Sequence, residues 1–243
     1  MRQSGETSGI DTRGDGGRAH WALSPTPRVA YLLPVIALLD YGSGNLRSVE
    51  KALRKAGADV HVTREPEGMK DARGIVLPGV GAFDDCITAM QRQELLAAVK
   101  QFIASGRPFL GICVGYQALF ESSEEFNSCA AGIGVFRGKV VRFPTIEGLK
   151  VPQIGWNQIR FSRPDCPLLR GIKDDSYVYF VHSFFPKPED ASIIATRTDY
   201  GGDFASAIWK DNVYATQFHP EKSQEVGLRL LRNFVGLAER GRN

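Results

Sequence analysis

Phe109-Leu110-Gly111-Ile112-Cys113-Val114-Gly115-Tyr116-Gln117 is a short apolar run that meets a thiol between two glycines. A helical pattern follows over Gln117-Phe120, so the segment reads as strand, sharp turn, helix. Its G-x-C-x-G spacing is the cysteine version of a nucleophile elbow: small residues two positions either side let strand and helix approach, and the central residue takes a strained backbone that presents its thiol. A free cysteine with a pKa near 8.5 is only about 3% thiolate at pH 7, so reactivity needs help from a helix N-terminus or an adjacent imidazolium. A buried apolar cysteine in a glycine-flanked strand is the plainer alternative.

Working outward, short apolar runs alternate with helical patterns from Val35 on, which is the signature of βαβ units. Strands are expected at Val35-Leu39, Val60-Thr63, Gly74-Leu77 and Phe109-Ile112. Helices are expected from Leu46 to Gly57, over Asp84-Ala104, and over Ser223-Ala238. The second half changes texture, with strand-like runs at Ile133-Phe143, Ile154-Phe161, Tyr177-Phe184 and Ser192-Arg197. Ala205-Lys210 and Val213-His219 are separated only by Asp211-Asn212, a hairpin signal. The fold class expected is α/β: a flavodoxin-like, doubly wound, mainly parallel sheet with an antiparallel extension in its second half.

Residues 1–34 are rich in Gly, Pro, Ser and Thr and lack apolar periodicity. They are expected to be a flexible leader or a start-site artefact, with residues 35–243 forming one domain and the natural chain starting at Val35. The 243-residue chain carries a net charge of +3 with 43% hydrophobic and 23% charged residues, a balance that argues against a nucleic-acid partner. Its longest apolar run, Val29 to Leu39, is about half of the roughly 20 residues a membrane helix needs. Cys86, Cys113, Cys129 and Cys166 form no CxxC pair, which fits free thiols in a reducing cytoplasm and no metal site.

A nucleophilic cysteine needs a base. Of the four histidines, His20 lies in the leader and His61 in an alternating strand, leaving His182 and His219. In His219-Pro220-Glu221 an extended chain across Pro220 would point residues i and i+2 the same way, letting the carboxylate hold one ring nitrogen while the other faces the thiol. A surface turn is the competing reading of these three residues. Leu77-Pro78-Gly79-Val80-Gly81 is a glycine-rich turn after a buried strand; it is either a plain loop or, with the amide of Val114, an oxyanion hole.

Elbow, glycine-rich turn and terminal His-x-Glu, in this order, resemble the class I (triad) glutamine amidotransferases. Asp40-Tyr41-Gly42-Ser43-Gly44-Asn45-Leu46, Pro78 to Phe83, Gly111 to Gln117, Pro152-Gln153-Ile154-Gly155-Trp156-Asn157, Tyr179 to Ser183 and Thr216 to Ser223 narrow the likeness to the glutaminase subunits of imidazole glycerol phosphate synthase, over Val35 to the C-terminus. The resemblance implies Cys113 as nucleophile, His219 as base and then acid, and Glu221 as its orienting group. It also implies Gly79, Val80 and Val114 around the oxyanion, and Gln117, His182 and Ser183 on the substrate glutamine. Ser43, Asn45, Trp156 and Asn157 would lie toward a partner, the cyclase subunit that uses the ammonia to make imidazole glycerol phosphate and AICAR in histidine biosynthesis. No cofactor is implied.

In that family the Pro-Gly-Val-Gly turn is thought to sit in an unproductive peptide orientation until the partner is loaded, which is carried here onto Val80. One departure is Tyr116, where family members usually have methionine; a larger polar ring would alter the glutamine pocket or the packing behind it. Competing readings are the glutaminase subunit of another synthase, such as those of anthranilate or pyridoxal phosphate synthesis, a stand-alone cysteine hydrolase of γ-glutamyl substrates, and a flavodoxin-like thiol sensor.

Overall fold

Four strands buried along nearly their whole length form the centre of the molecule: β1 (Val35–Leu39), β3 (Gly74–Leu77), β4 (Phe109–Ile112) and β12 (Val213–Thr216). Their sequences are near-continuous apolar runs rather than alternating ones, as expected for parallel strands covered on both faces. The structure, a computed structural model, describes residues 35–125 and 128–240; the leader expected over residues 1–34 lies outside them.

One nine-stranded sheet runs in the order β2 (Asp59–Thr63), β1, β3, β4, β12, β11 (Asp203–Lys210), β10 (Ile194–Asp199), β7 (Gln153–Phe161) and β8 (Ser176–His182). The pairings from β2 to β12 are parallel, and those from β12 to β8 are antiparallel. This is the doubly wound core with the antiparallel extension that the sequence implies. A smaller sheet joins β5 (Ser122–Ser123), β6 (Gly138–Arg142) and β9 (Phe184–Pro188).

From β1 the chain crosses through α1 (Leu46–Lys55) to β2, then returns past β1 to β3 and crosses the other way through α2 (Phe83–Arg92) and α3 (Leu95–Ala104) to β4. Right-handed crossovers in opposite directions place these helices on opposite faces. They also leave a crevice where the direction reverses, at the carboxyl ends of the strands. The closing helix α5 (Gln224–Arg240) packs against α1.

Three expectations are corrected. The single helix over Asp84-Ala104 is two, because Glu94 adopts a left-handed φ of 58° between Arg92 and Leu95. The run Tyr177-Phe184 is two strands in different sheets: the chain leaves β8 at His182 and enters β9 at Phe184, pivoting on Ser183. The Ile133-Phe143 run is strand only from Gly138. An apolar run tells that a segment is buried but not which sheet its backbone pairs with. The Asp211-Asn212 hairpin forms as expected, with Asp211 at φ 51°.

Candidate active site

Cys113 follows β4 directly and precedes α4 (Val114–Gln117), with φ 54° and ψ −107°. A non-glycine residue there is strained, and such a conformation persists only where its surroundings impose it. They do: Cys113 N–H donates to Thr216 O at 2.8 Å, while its carbonyl accepts from Tyr116 N at 3.0 Å and Gln117 N at 3.1 Å. The flanking glycines are required by contact. A Cβ on Gly111 would lie 2.6 Å from the Gly115 carbonyl oxygen, and one on Gly115 would lie 1.9 Å from the Leu77 carbonyl oxygen. The four-residue α4 is too short to carry much of a macrodipole, so the groups that matter most beside the thiol are its side-chain neighbours.

The first of these is His219, just beyond β12. Its backbone is pinned to β8 by His219 N–H donating to Tyr179 O at 3.0 Å, and Ser223 Oγ donates to His219 O at 2.7 Å. His219 Nδ1 lies 2.8 Å from Glu221 Oε1, and both side chains are almost fully buried. The link differs from the extended geometry expected, since Pro220–Lys222 is a 3-10 turn that folds Glu221 back under the ring. With a carboxylate at Nδ1 the ring proton sits there, leaving Nε2 as the basic atom. Nε2 is buried without a hydrogen-bond partner. Burial disfavours the imidazolium, but the opposing charges of Cys113 and Glu221 outweigh it and raise the ring's pKa.

Cys113 opens into a cavity of about 470 Å³ lined by Val80, Gln117, Glu125, His182, Ser183 and Lys222 among others, within the roughly 300–1,000 Å³ usual for small-molecule sites. The turn after β3 forms one wall. Gly79 sits against Val114 and Tyr41, and Val80 O accepts from Ser43 Oγ at 2.9 Å, which ties the turn to the loop after β1. Asp40 holds that loop by accepting from Gly42 N at 2.8 Å and pairing with Arg64 at 2.8 Å.

His182 is buried, and burial lowers its pKa to about 3, so the ring is neutral at physiological pH. It contacts Phe184 O at 2.8 Å through Nδ1 and the side-chain amide of Gln153 at 3.0 Å through Nε2. Gln117 Nε2 donates to Phe184 O at 3.0 Å and to Gln217 Oε1 at 3.3 Å.

Two residues of the site escape a reading of the sequence. Glu125 lines the cavity, with Oε2 accepting from Phe83 N at 2.8 Å, and burial raises its pKa. It lies in an irregular stretch with no periodicity to flag it. Gln217 is fully buried and its Nε2 lies 3.6 Å from Cys113 Sγ. Its signal is its place two residues before His219, immediately after the strand that ends at Thr216.

Tyr116 is fully buried and absent from the cavity wall, with its ring edge-on to Phe120 at 5.6 Å and its hydroxyl 3.4 Å from Ala205 O. The departure therefore alters packing behind the site. Tyr116→Phe is expected to leave the KM for the site's substrate unchanged and to cost about 1 kcal/mol of stability or less; a several-fold change in KM would contradict this placement.

The candidate partner residues separate. Trp156 is 46% exposed on β7 opposite Tyr179 of β8, beside Ile154 at 64% and Tyr177 at 56%. Lys222 Nζ lies 5.7 Å from the Tyr179 ring, linking this apolar strip to the cavity mouth. Asn157 is engaged within its own sheet, donating to Asp199 O at 2.9 Å. Asn45 is exposed at the start of α1, and Ser43 faces the Val80 turn.

Residues 37–237 match the class-I glutamine amidotransferase family. The chain is 50% identical over 205 residues to the imidazole glycerol phosphate synthase subunit HisH of Syntrophotalea carbinolica, covering 82% of this chain and 98% of that protein. It is 50% identical over 200 residues to the subunit of the same name from Acinetobacter baylyi, covering 82% and 97%. Among solved structures, PurLQS from Thermotoga maritima superposes with a TM-score of 0.67 at 17% identity, covering 86% of this chain and 99% of that one. A putative GMP synthase subunit from Thermoplasma acidophilum gives 0.64 at 22%, covering 86% and 96%. At these identities the structural matches bear on the fold, while the sequence matches carry the family: the chain belongs to the class-I glutamine amidotransferases and, within them, to the family of the imidazole glycerol phosphate synthase subunit HisH.

Proposed function

We propose that Cys113, His219 and Glu221 hydrolyse glutamine to glutamate and ammonia, and that the ammonia passes to a cyclase subunit bound over Trp156. The observation that carries the chemistry is a buried imidazole with Nδ1 held by Glu221 and Nε2 unengaged, beside a thiol on a strained elbow facing a cavity. His219 Nε2 takes the thiol proton, and the sulfur attacks the side-chain carbonyl carbon of glutamine. The tetrahedral intermediate collapses by returning that proton to the leaving nitrogen, releasing ammonia and leaving a γ-glutamyl thioester. Water, deprotonated by the same ring, then releases glutamate and regenerates the thiol. Amides at Val114 and at the Gly79-Val80 turn are proposed to meet the developing oxyanion.

Substrate recognition is assigned to Gln117 and the His182-Ser183 corner, with the Glu125 carboxylate placed to meet the α-ammonium group. Free ammonia is protonated in bulk water at neutral pH, so a partner subunit must receive it directly. Its acceptor there is a phosphoribulosyl formimino-AICAR-phosphate, from which imidazole glycerol phosphate and AICAR form. The exposed strip of Ile154, Trp156 and Tyr177 beside the cavity mouth supports docking there, and the reduced state that Cys113 requires supports a cytoplasmic setting. Ser43 holding Val80 O supports a turn kept in one peptide orientation until the partner engages; a high partner-free glutaminase rate would contradict that restraint.

The test is glutamate release from glutamine by the chain alone and with the cyclase subunit and its nucleotide ligand, with Cys113→Ala as blank. Weak activity alone and strong activity in the loaded pair support the reading; strong activity alone favours a free-standing hydrolase. Trp156→Ala is expected to weaken the pair about 30-fold, equivalent to about 2 kcal/mol, while leaving partner-free turnover unchanged. Titration calorimetry checks it, and an unchanged Kd would move the interface elsewhere.

A further inference from the structure

We propose that Gln217 is a positioning residue whose side-chain NH2 donates a hydrogen bond to the sulfur of Cys113 and favours its thiolate. An amide can be turned either way, but here the neighbours decide its polarity. Phe184 O is a backbone carbonyl and can only accept, so the Gln117 atom 3.0 Å from it is nitrogen. That same nitrogen lies 3.3 Å from the Gln217 side chain, which must therefore present oxygen to it. Gln217 is left with its NH2 toward Cys113 Sγ, at 3.6 Å. The run from Phe184 O through Gln117 and Gln217 to the sulfur thus has one direction, fixed by a carbonyl at its far end.

Gln217 has no surface exposure, and its own N–H donates to Ser206 O at 2.8 Å, so its backbone is held by β11. A donor held this way costs no reorganisation when charge develops on sulfur. The same relay occupies Gln117 Nε2 twice over, leaving the oxygen of Gln117 as the only group it can offer to the cavity.

The other titratable groups around the sulfur are His219 with Glu221, and Tyr41; across the cavity lie Glu125, His182 and Lys222. Of these only His219, once it holds the thiol proton, can also donate to the sulfur, so loss of the Gln217 donor is expected to weaken the thiolate and not to abolish it. The inference rests on Cys113 being the reactive thiol of the proposed function, so its test reads the thiol without glutamine. Iodoacetamide labelling of Cys113, followed by peptide mass spectrometry from about pH 5 to about pH 10, is compared for the unsubstituted chain, Gln217→Met and Gln217→Glu. Hydrogen bonds to charged groups are the strong ones, so labelling at pH 7 is expected to slow about tenfold in Gln217→Met and further in Gln217→Glu, which sets a carboxylate beside sulfur. At about pH 10 the rates should converge, because there the thiol ionises without the donor.

Equal slowing at every pH, or none, would reduce Gln217 to packing and overturn the proposal. Should both variants fail to fold, the unsubstituted chain still decides. The side-chain NH2 resonances of Gln217 should titrate together with the labelling rate and shift on carbamidomethylation of Cys113; resonances indifferent to both would overturn the proposal. If the labelling profile responds while the loaded pair releases no glutamate, the positioning role stands and the glutaminase reading falls.

Discussion

Gly115→Ala is expected to lower unfolding free energy by about 3 kcal/mol or more and to remove glutaminase activity with it. The added methyl would stand 1.9 Å from the Leu77 carbonyl oxygen and 2.8 Å from the Leu77 carbonyl carbon. Neither atom can swing aside, because Leu77 is the last residue of β3 and pairs with Gly111 of β4. Relief requires strand and elbow to separate. Val114 and Gly79, which the proposed oxyanion site needs side by side, would part as well. Urea unfolding with glutamate release on the folded fraction checks both halves. A midpoint within error of the unsubstituted chain would mean that the approach of elbow and strand is looser than these distances state.

His219→Asn isolates the base with less disturbance. The asparagine amide can still donate to Glu221, so no carboxylate is stranded in the interior, where an unpaired charge would cost several kcal/mol. What disappears is the basic atom at the Nε2 position. Turnover in the loaded pair is expected to fall about 10⁴- to 10⁶-fold with an unchanged unfolding midpoint, the scale seen when one member of a catalytic triad is removed. Activity within about tenfold of the unsubstituted chain would remove His219 from the mechanism. Because Gly115→Ala acts through the fold and His219→Asn through chemistry, the two together separate loss of the scaffold from loss of the base.

Strands β1, β3 and β4 are legible to the residue in the sequence because each is an apolar run, buried along nearly its whole length and bounded by turn residues. The elbow is legible because glycine is the only residue type that the close contacts at positions 111 and 115 admit. His219 and Glu221 are legible as a pair, two residues apart, although the turn that joins them is 3-10 rather than extended. The break at Glu94 is not legible, since Leu95 to Ile103 continues the apolar pattern of Phe83 to Met90 and the periodicity contains nothing that ends a helix there.

The sequence by itself determined the βαβ order, the elbow, the identity of the candidate triad and the family resemblance. All of these reside in local patterns of a few residues, where turn chemistry and side-chain period act directly. Only the tertiary structure decided that Glu125 reaches the cavity from an irregular segment, that Tyr116 packs behind it, and that Phe184, Gln117 and Gln217 direct a donor at Cys113. Cys113 and Gln217 are 104 positions apart, and Gln117 and Phe184 are 67 apart. Hydrogen-bond polarity across such separations depends on which strands meet, and five parallel strands bring their carboxyl ends together only once the whole sheet has formed.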